Sequence, residues 1–542
     1  MLYALGLPTH RWELANLPTS LFRLCSSLLI VSLFALSGCS SLPTIDRTAV
    51  ESHSIPSDGR TELARIAAVG QPMPEASGFR LLPLGTFALD ARGQLARRAQ
   101  ATIDVQYFHF ANDDTGQWLL QQLRDAAKRG VRVRLLLDDL HTGGADELLL
   151  GFAAHPNVEV RLFNPFLRAR GSGPLGRFLA APLDWGRINF RMHNKMFIVD
   201  GAWAVIGGRN IADEYFLRKE SNNFIDVDAL VVGQVLSPLQ SLFDRYWNSE
   251  IVYPLQAIVR SPQTDEQRLV SFEQATVATP KPQPIPILDR DVLGYGSIGP
   301  ELDSGALQLI WASAYVFADH PDKPFDGMVG GDLLETSVTY NVFEAINMAK
   351  QEVVISSPYF VPGKDGMKLF TDLRNRKVKV GVLTNSFAST DEPIVHLGYS
   401  RYRKPLLKLG VELYELSYQR VRENMQSLLR SKTLGRLHSK AVVIDRRVSY
   451  LGSMNLSPRS ATINTEFGAV VDSPQLAQEL FRLIEIDRLH SAYQVQLRSD
   501  GEFEWVAPDS NGKKIMTSEP DSTWWSRWLG TFLEPFVPED NL

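Results

Sequence analysis

A nine-residue pattern that occurs twice constrains the fold of this 542-residue chain more than any other feature. The first copy reads H-N-K-M-F-I-V-D-G at 193–201, and the second reads H-S-K-A-V-V-I-D-R at 438–446. Each copy is followed, at the same spacing, by a tetrapeptide that ends in Asn, G-G-R-N at 207–210 and G-S-M-N at 452–455. Two copies with equal internal spacing indicate that the chain folds as two related units.

The residue types in the pattern indicate phosphodiester chemistry. His and Lys alternate at the start of an apolar strand, so their side chains project from one face. A neutral imidazole can attack phosphorus or accept a proton near neutral pH. Lys ammonium groups and Asn amides can stabilise phosphoryl oxygens, so the site requires no metal. If the two units face each other, one site would contain two sets of such residues: His193, Lys195 and Asn210, and His438, Lys440 and Asn455.

The repeat extends beyond the two motifs. A predicted strand, a helix and a second strand precede each motif, beginning at residue 102 in the first half and at residue 352 in the second. Within the first strands we match Tyr107-Phe108 with Tyr359-Phe360. The sequence therefore predicts an α/β fold with a duplicated unit, in which two lobes of central mixed β-sheet flanked by helices are related by a pseudo-two-fold and share one active site.

Acidic residues occur downstream of both motifs. The segment N-F-I-D-V-D at 223–228 matches N-T-E-F at 464–467, which pairs Asp226 with Glu466. A carboxylate at this position could hold a catalytic His in one tautomer and stabilise its cation. Asp228 is the alternative to Asp226 in the first half.

These residues resemble those of the phospholipase D superfamily, whose members carry two H-K-D motifs. A closer resemblance links the chain to bacterial cardiolipin synthases of the C type and to their lipoprotein relatives. It covers the chain from about residue 80 to the C-terminus. The segments that carry it are R-I-N-F-R-M-H-N-K at 187–195, L-T-N-S at 383–386, the stretch 396–416 and W-W-S-R-W at 524–528.

The resemblance implies a two-step mechanism that uses no metal or other cofactor. His193 would attack phosphorus and form a phosphohistidine, while His438 would act as acid and then as base; the reverse assignment stays open. Asp200 and Asp445 complete the catalytic motifs, but both end their strands, and we expect them to act structurally. Gly208 stands where many relatives carry Ser. The phosphoryl oxygens would be bound by the remaining motif residues, Lys195, Lys440, Asn210 and Asn455.

The implied activity is transfer of a phosphatidyl group to a phospholipid alcohol such as phosphatidylglycerol, with phosphatidylethanolamine as a further candidate substrate. Three alternatives stay open: a hydrolase that releases phosphatidic acid, a nuclease, and a non-catalytic lipid-binding protein of the envelope. A formal net charge of −5 argues against a general nucleic-acid binder. The complete His, Lys and Asn sets in both halves argue against a protein without activity.

The N-terminal region predicts export. Residues 24–36 form a 13-residue apolar run, which is short for a membrane span and typical of a signal-peptide core. The run ends in L-S-G-C at 36–39, which resembles the lipobox of bacterial lipoproteins. We therefore predict a signal peptide over 1–38 and lipidation of Cys39. The protein would then be anchored at the membrane surface of the bacterial cell envelope, facing the periplasm.

Composition suggests the remaining boundaries. We predict a tether at 39–80, an N-terminal lobe at 81–261, an inter-lobe linker at 262–305, a C-terminal lobe at 306–495 and a Trp-rich tail at 496–542. Two segments have open roles. The basic stretch 420–436 could bind an anionic headgroup or form a solvated helix face. The tail could dock on a bilayer or pack onto the protein as a strap.

Overall fold

In the computed structural model, residues 45–542 fold into two related α/β lobes that share one sheet. The described residues are 42–219, 222–277, 288–305, 307–323, 337–429, 435–509, 512–525, 528, 532, 537–539 and 542. The predicted signal peptide and Cys39 lie outside these residues. No helix among the described residues combines the length and apolar character that crossing a membrane requires.

The first lobe is built on a mixed sheet in the order β9-β4-β3-β2-β5-β6-β8-β1. Strands β2, β3 and β4 run parallel, and the other pairings are antiparallel. The strands of this half are β1 (Ser77–Leu82), β2 (Thr102–Tyr107), β3 (Arg132–Asp138), β4 (Val158–Phe163), β5 (Met196–Val199), β6 (Trp203–Gly207), β7 (Asn223–Ile225), β8 (Asp228–Gly233) and β9 (Val252–Pro254).

The second lobe repeats this order as β18-β13-β12-β11-β15-β16-β17-β10, with β19 and β20 added beyond β18. Its strands are β10 (Ile310–Ala318), β11 (Glu352–Ser356), β12 (Lys379–Asn385), β13 (Glu412–Leu416), β14 (Gly435–Leu437), β15 (Ala441–Ile444), β16 (Val448–Gly452), β17 (Phe467–Asp472), β18 (Ala492–Leu497), β19 (Phe503–Asp509) and β20 (Gly512–Met516). Because the equivalent strands β1 and β10 pair antiparallel, they join both sheets into one of 18 strands with a local two-fold between them. The predicted duplicated α/β fold is confirmed.

Helices cover the faces of this sheet. In the first half they are Arg47–Val50, Glu62–Ala68, Gly85–Arg98, Asp114–Lys128, Asp146–Ala153, Pro174–Leu179, Trp185–Ile188, Leu236–Trp247, Leu255–Ile258 and Asp265–Val277. In the second half they are Ile298–Asp303, Val338–Asn347, Gly363–Asn375, Pro393–Leu409, Tyr418–Leu429, Pro458–Thr462 and Pro474–His490. The helices that begin at Leu236 and Pro474 bury Leu239 and Leu480 in one core that both lobes share. The lobes are therefore joined by apolar packing as well as by the sheet.

Strand register corrects one detail of the repeat. Phe110 forms a bridge with Ile211, and Phe360 forms the equivalent bridge with Leu456. Phe110 is therefore the counterpart of Phe360, and His109 is the counterpart of Tyr359. The predicted match of Tyr107-Phe108 with Tyr359-Phe360 was therefore wrong by two residues. The Tyr-Phe pair of the first half lies two residues before the position that is equivalent to Tyr359-Phe360.

Residues 45–80 pack onto the first lobe, although the sequence suggested a tether. The helix Glu62–Ala68 buries Leu63, whose carbonyl accepts a hydrogen bond of 2.7 Å from Trp203 Nε1. The buried Arg134 donates to Ser54 Oγ at 2.7 Å and to the Ser52 carbonyl at 3.1 Å. The sheet supplies Arg134 with one acceptor, Asp104 on β2, and this segment supplies further acceptors that a buried guanidinium requires.

The Trp-rich tail leaves its aromatic rings exposed and packs its last residue onto the protein. The rings of Trp524, Trp525, Trp528 and Phe532 form a continuous row, edge-on between the first two and stacked along the rest, and are 54–70% exposed. Beyond them the chain returns to the protein, where Leu542 is buried against Gly398 and its carbonyl accepts a hydrogen bond from the Arg459 amide. The C-terminus thus acts as a strap, while the aromatic row faces solvent.

Removing residues 45–60 should destabilise the first lobe, because Arg134 would lose its acceptors at Ser52 and Ser54 and keep only Asp104 and Asp244. Each hydrogen bond to a charged group contributes about 1.5–3 kcal/mol. Thermal unfolding followed by circular dichroism should give a lower Tm for a chain that starts at residue 61 than for one that starts at residue 45. Equal Tm values would mean that this segment contributes nothing to stability.

Candidate active site

Backbone pairing between the lobes brings the two motifs together. Strands β7 and β14 pair in parallel with Ile225 opposite Leu437, and the His438 amide donates to the Ile225 carbonyl at 2.8 Å. The equivalent contact joins Met192 to Thr465, whose carbonyl accepts from the His193 amide at 2.8 Å. Each motif therefore begins directly beside the acidic residue of the other lobe.

The two imidazoles are held by crossed carboxylates. His193 Nδ1 lies 2.9 Å from Glu466 Oε2, and His438 Nδ1 lies 2.7 Å from Asp226 Oδ2. A carboxylate accepts the Nδ1 proton, so Nε2 of each ring is left for chemistry. Asp228, the alternative to Asp226, instead pairs with Arg92 at 2.9 Å. The sequence had not indicated that each carboxylate would serve the imidazole of the other half.

Both motif lysines turn toward the backbone of their own His. Lys195 Nζ donates to the His193 carbonyl at 2.6 Å, and Lys440 Nζ donates to the His438 carbonyl at 2.6 Å. An ammonium group has three donors, so each Lys retains donors for an anionic ligand. The side chains of all four residues are buried at the lobe interface.

The two motif asparagines differ in their contacts. Asn210 accepts a hydrogen bond of 3.2 Å from the His109 amide and donates to the Tyr215 hydroxyl at 2.9 Å. The backbone N–H of Asn455 donates to Ser460 Oγ at 3.3 Å. Its side-chain carbonyl is buried and has no partner among the residues that the structure describes. Such an unpaired group at the interface is suited to a polar ligand.

Glycine at position 208, where many relatives carry Ser, has a steric cause. A Cβ at Gly208 would lie 2.5 Å from Asp226 Oδ1, so only glycine leaves room for this carboxylate. The equivalent Ser453 donates its hydroxyl to Glu466 Oε2 and not into the space between the lysines. The serine of the second half therefore supports a carboxylate, and its absence from the first half removes no donor directed at a phosphate.

The two motif aspartates lie away from the imidazoles. Asp200 accepts hydrogen bonds from three consecutive backbone amides that begin at Gln100, and Asp445 accepts from three that begin at Lys350. Both residues have positive φ, 52° and 50° respectively, at the turn that follows their strand. These carboxylates tie β5 to the start of β2 and β15 to the start of β11. Contacts of this kind brace the strands that carry His and Lys.

Burial sets the charge of the site. It lowers the pKa of His193 to about 4, although Glu466 opposes the change, and it places the pKa of His438 well below its usual value. Burial also lowers the pKa of Lys440 to about 8 and that of Lys195 well below its usual value. The rings are therefore neutral near pH 7. A bound phosphodiester anion would raise all four pKa values, because it favours the charged forms.

Aromatic residues that the motifs did not reveal surround the imidazoles. The Phe108 ring meets the His193 ring edge-on at 5.1 Å, and the Tyr215 and Phe224 rings each lie 5.0 Å from that of His438. The Tyr215 oxygen is 3.5 Å from His438 Nε2. Sequence gave little signal for Tyr215, because the residue at the equivalent position of the repeat is Ser460 and not an aromatic residue.

Among the described residues, no three His, Cys, Asp or Glu side chains are grouped as metal ligands. The polar groups that converge between the lobes are two imidazoles, two ammonium groups and two amides. This arrangement can supply a nucleophile, an acid or base, and donors to phosphoryl oxygens.

Comparison with known proteins gives consistent similarities. The family description "Cardiolipin synthase, PLD-like domain" matches residues 94–247 and 342–487, one segment in each half. The chain is 35% identical to cardiolipin synthase C of Escherichia coli over 86% of this chain and 97% of that protein. It is 25% identical to a cardiolipin synthase of Staphylococcus aureus over 71% of this chain and 62% of that protein. Among solved structures, phosphatidylserine synthase of Haemophilus influenzae has a similar fold, with a TM-score of 0.54 and 14% identity over 86% of this chain and 95% of that chain.

The kcat/KM for a soluble phosphodiester such as bis(p-nitrophenyl) phosphate should fall as the pH rises through about 8. Lys440 has a pKa of about 8, and its stabilising charge is present below this value and lost above it. The variant Lys440→Arg stays protonated at this position, so the fall near pH 8 should be smaller in its residual activity, while the exposed Lys368→Arg should behave as the parent. If kcat/KM of the parent did not fall between pH 7 and 9, the stabilising role of the Lys440 charge would be contradicted.

Proposed function

The chain belongs to the cardiolipin synthase family of phospholipase D-like enzymes, and from this membership we propose that it transfers a phosphatidyl group to the alcohol of a second phospholipid. The observation that carries the proposal is the pair of crossed imidazole–carboxylate contacts at the lobe interface. These contacts hold two neutral imidazoles in one site, and a double displacement at phosphorus requires two such groups.

In the first step, His193 Nε2 attacks phosphorus and the bond from phosphorus to the departing alcohol oxygen breaks. His438, protonated when the anionic substrate is bound, gives its Nε2 proton to that oxygen, and Asp226 stabilises its cation. The product is a phosphatidyl group bonded to His193. The assignment of His193 as nucleophile is supported by its free Nε2, which has no hydrogen bond within the part of the chain that the structure describes.

In the second step, the hydroxyl of the acceptor gives its proton to His438 Nε2. The acceptor oxygen then attacks phosphorus, the bond from phosphorus to His193 breaks, and the imidazole is restored. Lys195 and Lys440, together with Asn210 and Asn455, would bind the non-bridging oxygens in both steps. Their donors would stabilise the charge that accumulates on these oxygens in the transition state.

Transfer and hydrolysis share this intermediate. A lipid alcohol that resolves it gives a new phospholipid, whereas water gives phosphatidic acid. We propose phosphatidylglycerol as the acceptor and phosphatidylethanolamine or phosphatidylglycerol as the donor. The names of the related cardiolipin synthases support this choice over hydrolysis.

We propose that the protein works at the membrane surface of the bacterial envelope, held there by the lipid on Cys39 and facing the periplasm. The exposed row of Trp524, Trp525 and Trp528 supports this location, because Trp side chains favour the interface between headgroups and acyl chains. An anchored enzyme would keep its site near lipids that are insoluble in water.

Product analysis tests the proposed reaction. The chain from residue 40 should form cardiolipin from mixed micelles of phosphatidylethanolamine and phosphatidylglycerol, identified by mass spectrometry. His193→Ala and His438→Ala should each lower the rate by a factor of about 10³ or more, since each removes a group that no neighbour replaces. His53 is exposed and lies outside both motifs, so His53→Ala is the matched control and should retain full activity.

The products distinguish the alternatives. Phosphatidic acid without cardiolipin would make the protein a hydrolase, and no lipid product at all would reject the proposed function. Retained activity in either active-site His variant, with unchanged circular dichroism, would reject the paired site. Activity should also survive EDTA, and a loss that added zinc reverses would contradict a mechanism without metal.

The aromatic row should contribute to membrane binding. Replacing Trp524, Trp525 and Trp528 by Ser in the chain from residue 40 should weaken co-sedimentation with phosphatidylglycerol-containing vesicles by at least about tenfold. Each large ring that becomes buried in the membrane contributes about 1 kcal/mol or more to binding. Turnover of a soluble phosphodiester should not change. Met348→Ser, at an exposed apolar residue of the second lobe, is the control, and equal binding of both variants would exclude this role for the row.

A further inference from the structure

The two halves of the site differ in what lies against the reactive nitrogen of each imidazole. Tyr215 Oη is 3.5 Å from His438 Nε2, and the two rings meet edge-on at 5.0 Å. The equivalent residue beside the other motif is Ser460, which donates to Glu466 Oε1 at 2.7 Å and so supports a carboxylate instead of approaching a ring nitrogen. The duplicated site therefore has a phenol on the His438 side and none at the equivalent position.

Tyr215 is fixed from three directions. Its hydroxyl oxygen accepts a hydrogen bond of 2.9 Å from Asn210 Nδ2, and its ring stacks on Phe224 at 4.6 Å. Its backbone carbonyl accepts from Arg209 Nε at 3.3 Å, within a short 3-10 helix at Asp213–Phe216. Only the hydroxyl proton remains free to choose a partner, and it can be directed at the space in front of His438 Nε2.

From this geometry we propose that Tyr215 binds the oxygen of the departing alcohol in the first step and the oxygen of the acceptor alcohol in the second. A hydrogen bond normally spans about 2.8 Å between oxygen or nitrogen atoms. An alcohol oxygen at this distance from both groups can bridge Tyr215 Oη and His438 Nε2 across their 3.5 Å separation. Asn210 would then connect the alcohol-binding phenol to the phosphoryl oxygens.

The contact would stabilise the reacting oxygen of either alcohol. His438 exchanges one proton with this oxygen, while the Tyr215 hydroxyl donates to it and stabilises its partial negative charge in the transition state. Tyr215 is neutral throughout, because burial raises its pKa well above the usual value. The inference rests on the proposed transferase function and names a residue that positions and stabilises the alcohol oxygen.

The test is the ratio of two kcat/KM values, one for a phosphodiester whose leaving group is an alkyl alcohol, such as a short-chain phosphatidylglycerol, and one for a phosphodiester whose leaving group is p-nitrophenol. In Tyr215→Phe the ring packing is kept and the hydroxyl is lost. An alkyl oxygen needs a donor for the negative charge that it gains as it leaves, whereas p-nitrophenolate delocalises that charge, so the ratio should fall about tenfold, the loss expected for one hydrogen bond made in the transition state. Both rates come from the same folded molecules, so a change in the folded fraction cancels in the ratio.

Tyr253→Phe is the matched control, since its ring packs under Arg47 at 4.6 Å in the first lobe, and its ratio should equal that of the parent. An unchanged ratio in Tyr215→Phe, with both rates lowered in proportion, would overturn the inference and leave the transferase function intact. No transfer to phosphatidylglycerol by the parent chain would reject the proposed function itself, and the inference with it.

Discussion

The crossed contacts between each imidazole and the carboxylate of the other lobe are the interaction on which the site depends. Two histidines, two lysines, Asp226 and Glu466 are buried together between the lobes. Burying such groups separately would be strongly unfavourable, and pairing them across the interface offsets much of that cost. The same contacts fix the tautomer of each ring, so docking of the lobes and preparation of the reactive nitrogens are one event. The shared apolar core and the joined sheet hold the lobes in the position that these contacts require.

The doubled motif was enough to predict the duplicated α/β fold and the set of side chains that meet at the interface. It also predicted carboxylates at Asp226 and Glu466, because their place in the repeat is visible in the sequence. Spacing could not show that these carboxylates cross between halves, since this depends on how two surfaces dock. It could not choose between Asp226 and Asp228, which are both buried and lie two residues apart, Asp226 between β7 and β8 and Asp228 at the start of β8. The two-residue error in aligning Tyr107 with Tyr359 arose because similar residues were matched without the strand register that decides equivalence.

Duplication allowed the two halves to diverge around a common centre. Glu466 is one methylene longer than Asp226 and is held by Ser453, whereas Asp226 occupies space that only Gly208 can leave open. His109 and Tyr359 are equivalent in the sheet but differ in chemistry, as do Tyr215 and Ser460. The His, Lys and Asn of the motifs are the same in both halves, while the groups around them are not. Such asymmetry is suited to a reaction in which the two histidines have different roles.

The distance along the chain between the paired groups has a consequence for folding. The contact of His193 with Glu466 joins residues 273 positions apart, and that of His438 with Asp226 joins residues 212 positions apart. Contacts that close such long loops form late, after local strands and helices have ordered. During refolding, secondary structure and the separate cores would therefore recover before the reactive histidines acquire their partners. Enzymatic activity in this architecture reports the final step of assembly, and a nascent chain would remain inactive until its second half had been synthesised and docked.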